Sequence, residues 1–126
     1  MAKDNLGLGI QSMGLEQKKT IRLVVKTCRK LIFQNHTLGK EKDLEIKNLL
    51  SETKININKY FNISDKKMLM GVLADSEKFS EKLFNTTSKI NINGQAKLMA
   101  LHREQYAEGI SQSIDDYFSF KFLIDL

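Results

Sequence analysis

Apolar residues recur along this chain mainly at helical spacing. The clearest run is Ile21, Val24, Val25, Cys28, Leu31 and Ile32. Steps of three and four residues, at about 100° per residue, gather these side chains on one stripe of an α-helix. The pattern predicts a helix over residues 15–35, and Gly39 is a suitable stop beyond it. Lys18, Arg22, Lys26 and Arg29 fall in a narrow arc on the far side, with Lys19 and Lys30 at its edge.

Three more helices follow from the same rule. Residues 40–53 turn Leu44, Ile46, Leu49 and Leu50 inward, and the stripe can continue through Ile57, Tyr60 and Phe61. Residues 65–85 keep helical spacing at Leu69, Val72, Leu73, Phe79 and Leu83, with Ser64 or Asp65 as the expected N-cap. Gly71 and Asp75-Ser76 weaken the middle of that segment, which leaves room for two shorter helices. Residues 95–117 set Leu98, Met99, His102, Tyr106, Ile110, Ile114 and Tyr117 on one broad face.

Two regions read with period 2 instead. Lys54-Ile55-Asn56-Ile57-Asn58 recurs as Lys89-Ile90-Asn91-Ile92-Asn93, alternating as short strands do, although chance recurrence in an Asn/Ile/Lys-rich sequence, or a helix running through the first copy, is the favoured reading. In the tail, Phe118, Phe120, Phe122, Ile124 and Leu126 alternate with their neighbours, which predicts an extended segment buried on one side. Each large apolar side chain is worth roughly 1.5–3 kcal/mol when buried. Such a row either seals the core or forms a protein interface. The expected fold is therefore all-α, a small bundle of three to five helices, with the two Lys-Ile-Asn segments or the tail as candidates for a minor β element. Residues 1–14 hold Gly7, Gly9 and Gly14 and read as a flexible glycine-rich arm before a single helical domain over 15–126. Leu6, Leu8, Ile10 and Met13 would dock if that arm orders. Gly7-x-Gly9 lacks the preceding strand and third glycine of a dinucleotide-binding turn.

Composition narrows the class. A chain of 126 residues suits one core, and 41% hydrophobic with 28% charged residues excludes wholesale disorder. Proline is absent, which removes the strongest helix stop. The single cysteine, Cys28, excludes an intramolecular disulfide and favours a reducing, cytoplasmic location. No apolar run approaches the roughly 18 residues needed to span a bilayer.

Charge supplies the functional lead. The net charge is +5, but residues 1–63 hold 12 Lys/Arg against 6 Asp/Glu, while residues 64–126 hold 8 against 9. A basic half implies an acidic partner, either nucleic acid or an acidic protein surface. Lys18, Lys19, Arg22, Lys26, Arg29 and Lys30 crowd about three turns of the first long helix, opposed only by Glu16. Such a row tracks phosphates, and with little beside it to read base edges the binding would be independent of sequence. An acidic stretch balances it: Glu104, Glu108, Asp115, Asp116 and Asp125 face only Lys121 over residues 104–126, so the basic helix can dock there within one chain or between copies. A membrane-surface role ranks third, because Val, Ile and Cys on the apolar side suit core packing better than an interfacial helix.

Catalytic patterns are missing. His36, His102 and Cys28 form no metal-ligand spacing, and no cofactor motif is present. Cys28 lies on an apolar stripe, and the Asp115-Asp116 neighbours point about 100° apart on a helix and make no dyad by themselves. The expectation is a non-enzymatic accessory protein binding nucleic acid through its basic helix. The alternative is a self-associating structural or adaptor protein that uses its apolar arm and tail.

Overall fold

The structure, a computed structural model, describes residues 7–34, 40–87 and 95–125, except for the side chains of residues 40–43, 84–87 and 95–96. Five helices occur among the described residues: α1 (Leu8–Gln11), α2 (Leu15–Ile32), α3 (Lys40–Tyr60), α4 (Ile63–Thr87) and α5 (Gln95–Asp125). The fold is all-α, with no strand among those residues.

The stripe predicted for the first long helix organises the bundle. Ile21, Val24, Cys28, Leu31 and Ile32 of α2 are all buried. α2 packs on α3, α4 and α5 together. Ile57 and Phe61 close the core from the α3 side, Leu69, Val72 and Leu73 from α4, and Ala107, Ile110, Ile114 and Phe118 from α5. Between α2 and α3, the buried Thr27 and Thr53 hydroxyls lie 2.8 Å apart.

The hinge between α3 and α4 is short. Asn62 caps α4, its Oδ1 accepting the Asp65 N–H at 2.9 Å, so the cap lies two residues before Ser64. Asp65 is itself buried and accepts hydrogen bonds from the Tyr117 hydroxyl at 2.8 Å and Lys121 Nζ at 2.7 Å. These bonds tie the start of α4 to the last turns of α5. Gly71 does not divide α4, which runs unbroken for 25 residues.

Two expectations need correction. The tail is helical: α5 continues through Asp125, so Phe118, Phe120, Phe122 and Ile124 do not share a face. Phe118 is buried in the core and Phe122 is half-buried, whereas Phe120 and Ile124 point outward. Alternating residues on a helix lie about 200° apart, which splits the row. Leu126 lies outside the described residues. The first Lys-Ile-Asn segment is part of α3, on the side of the reading favoured over a strand, and the second lies outside the described residues. Leu44 and Leu98, expected inward, are exposed.

Of the apolar residues expected to dock from the arm, Ile10 and Met13 do, Leu8 is exposed, and Leu6 lies outside the described residues. Ile10 of α1 is buried in the core, and Gly9 approaches α5 so closely that a β-carbon would collide with the Phe118 carbonyl. The Gly7 N–H donates to Asp115 Oδ1 at 2.8 Å.

Candidate binding surfaces

The cationic row lies along the outer side of α2, as its spacing requires. Lys19, Arg22, Lys26, Arg29 and Lys30 are exposed and Lys18 is half-buried. Arg29 reaches across to α5, and both of its terminal nitrogens bond the Glu104 carboxylate, at 3.0 and 3.5 Å. The same guanidinium sits 5.1 Å from the centre of the Phe33 ring. Lys19 pairs loosely with Glu16 at 4.0 Å, and Arg22 is also engaged. Lys18, Lys26 and Lys30 have no side-chain partner among the described residues. The row is thus partly answered by the chain's own carboxylates, which matches the intrachain docking of basic on acidic segments that the charge distribution allowed.

Between α2 and α5 the surface opens into a groove of about 890 Å³. Ile10, Ile21, Val25, Phe33 and Ile114 give it an apolar floor. Arg22, Lys26, Arg29 and Lys30 form one rim, and Glu108, Ser111, Gln112 and Asp115 the other. Sequence reasoning placed the cations on this rim but missed the groove. Its second rim was visible in principle, since Glu108, Gln112 and Asp115 recur at helical spacing along α5.

A second surface lies where α5 ends beside the start of α4. Ile63 is 82% exposed, Phe120 66%, Leu123 62% and Ile124 65%, values that leave most of each side chain in water. Phe120 and Ile124 share a shallow recess with Asn62, Ser64, Asp65, Tyr117 and Lys121. Lys121, the cation in that recess, is held by Asp65. Of the predicted interface residues, the structure leaves Phe120 and Ile124 on this surface and gives Phe118 to the core. Leu123 and Ile63 are exposed as well, and the alternating pattern identified neither.

Of the remaining candidates for chemistry, Asp115 lines the groove, and the others lie apart from these surfaces or outside the described residues. Cys28 is buried, its Sγ 3.7 Å from the Val72 carbonyl. Burial pushes its thiol up to about 11, a contact with Ser76 opposes the rise, and the Asp75 carboxylate adds to it. The His102 ring packs at 5.1 Å on Phe79, which stacks on Tyr106 at 4.1 Å. His36 lies outside the described residues. Asp115 accepts the Gly7 N–H and Asp116 the Gln112 amide at 2.7 Å, so the two carboxylates diverge. Among the described residues, no three His, Cys, Asp or Glu side chains converge as a metal site would require, and no helix is long and apolar enough to cross a membrane. Comparison with known proteins finds no matching family model, no matching curated protein and no matching solved structure.

Proposed function

We propose that this chain is a non-enzymatic structural or adaptor module that associates with a second copy of itself through the end of α5. The carrying observation is the recess that Phe120 and Ile124 share, both large, apolar and more than half exposed. An exposed apolar cluster of this kind marks an interaction site more often than idle surface. Its charge suits a like partner: the Asp65 carboxylate already answers the Lys121 ammonium within the recess, so that cation meets a second copy paired. Sedimentation velocity across a concentration series tests the reading. The wild-type chain is expected to shift from monomer to dimer, and Phe120→Asp with Ile124→Asp to stay monomeric. A wild-type chain that remains monomeric at the highest concentration overturns it.

A second reading keeps nucleic acid as the partner of α2. Lys18, Lys26 and Lys30, without partners among the described residues, favour it. Glu104 and Glu108 beside the row weaken it, because they repel an approaching phosphate backbone. Fluorescence anisotropy with short DNA and RNA duplexes decides the matter. The reading requires affinity that falls steeply with salt and is lost on Lys26→Glu with Lys30→Glu.

A further inference from the structure

We propose that the groove between α2 and α5 binds a free long-chain carboxylate, a single apolar chain ending in one anionic head. Three properties of the groove select this ligand class. The first is size: about 890 Å³ lies within the ~300–1,000 Å³ typical of small-molecule sites. The lining runs along α2 from Ile21 to Phe33, a rise of roughly 18 Å at 1.5 Å per residue, which suits an extended chain. The second is the floor, where the half-buried Val25 and Phe33 present apolar surface to a guest and the buried Ile10, Ile21 and Ile114 lie behind them.

The third is charge. Four cations line the groove, Arg22, Lys26, Arg29 and Lys30, against two carboxylates, Glu108 and Asp115. Glu104 answers Arg29 from just outside, and one cation remains in excess. Asp115 is already bonded to the Gly7 N–H. Lys26 and Lys30 stand one turn apart on the rim, exposed and without partners among the described residues. Like charges at this spacing repel, and one carboxylate set between the two ammonium groups turns that repulsion into two charge-assisted hydrogen bonds. A dianion fits less well because Glu108 borders the opposite rim, and a cationic head fits less well because four cations line the groove.

Isothermal titration of the full chain with monomeric hexadecanoate, below its micelle concentration, tests the site. One site per chain is expected, with hexadecyltrimethylammonium binding at least about tenfold more weakly. Lys26→Glu with Lys30→Glu lowers hexadecanoate affinity by about tenfold or more while leaving the helical circular dichroism unchanged, since both side chains are exposed. Val25→Asp, which sets a charge in the floor, removes binding. Phe120→Asp with Ile124→Asp leaves it intact, so this site and the self-association surface fail independently. Equal binding of the anionic and cationic amphiphiles, indifference to the lysine substitutions, or binding only to anionic vesicles overturns the proposal.

Discussion

A methyl group at position 9 has nowhere to go. The backbone of α5 passes directly over Gly9, and a β-carbon there collides with the Phe118 carbonyl and lies 2.6 Å from the Ser119 nitrogen. These are backbone atoms of a packed helix, so α1 must yield instead. Gly9→Ala is expected to cost about 1–3 kcal/mol, the usual range for overpacking, and to lift Ile10 out of the core. Chemical denaturation measures the first effect, and faster amide exchange confined to residues 8–13 the second. Cys28 carries a different residue-scale prediction. Its folded thiol titrates near 11 against an ordinary 9.0, because burial disfavours the thiolate. A group whose pKa is raised by folding stabilises the folded chain fully below its unfolded value, and that contribution disappears as pH climbs through the folded one. Stability should therefore fall between about pH 9 and 11, by an amount on the order of 2 kcal/mol from this group. Tyr106 and Tyr117 are raised as well, both chiefly by burial, and add a loss of the same sign at higher pH. The difference between wild type and Cys28→Ala across that window isolates the thiol, and a constant difference from pH 8 to 11 would refute the assignment.

At the scale of the element, the α2–α3 seam rests on two threonines with too few protons for their contacts. Thr27 Oγ1 lies 2.8 Å from the Leu23 carbonyl, Thr53 Oγ1 2.7 Å from the Leu49 carbonyl, and the two hydroxyls 2.8 Å from each other. Two protons can make only two of these three bonds, so one hydroxyl donates to its partner and the other to its own helix. Thr27→Val or Thr53→Val alone should cost about 1 kcal/mol, since the remaining hydroxyl still reaches a carbonyl. The double substitution should cost less than the sum of the two, because the shared bond can be lost only once, and a double-mutant cycle reads that coupling. The same scale shows where sequence is informative. The α2 stripe was legible because one helix face packs against three neighbours, so its apolar pattern is wide and clean. The end of α5 was misread because two patterns overlap there. Phe118, Phe120, Phe122 and Ile124 alternate, but Ala107, Ile110, Ile114 and Phe118 step by three and four, and the second pattern prevails because it continues a helix already formed. Once the segment is helical, the alternation divides into core and exposed residues and the apolar patch follows. The cationic rim was legible from spacing alone. The groove was not, since it exists only through the packing of α5 against α2 and of α1 against α5.

The whole molecule divides its labour between a core centred on α2 and surfaces that contribute little to folding. The Arg29–Glu104 pair is nearly half exposed on both sides, and pairs of this kind are worth about 0–1 kcal/mol. The exposed apolar end of α5 contributes nothing to the isolated chain, but it does if a second copy covers it. Association then becomes visible as stability, because any partner that binds the folded state alone raises its resistance to heat. For a folded monomer in equilibrium with its dimer, free monomer grows as the square root of total concentration. A tenfold increase above the dissociation constant therefore adds about 0.7 kcal/mol per chain, half of the ~1.4 kcal/mol that a tenfold excess of an independent ligand gives. For a domain of this length that corresponds to a rise in melting temperature of roughly 2–4 °C per decade of concentration. Phe120→Asp with Ile124→Asp should abolish the dependence while leaving the melting temperature at low concentration close to wild type, because neither side chain is part of the core. Scanning calorimetry over two decades of concentration separates the outcomes: parallel slopes in both proteins would mean that the apolar end of α5 meets no second copy, and a flat wild-type line would mean that no self-association accompanies folding at all.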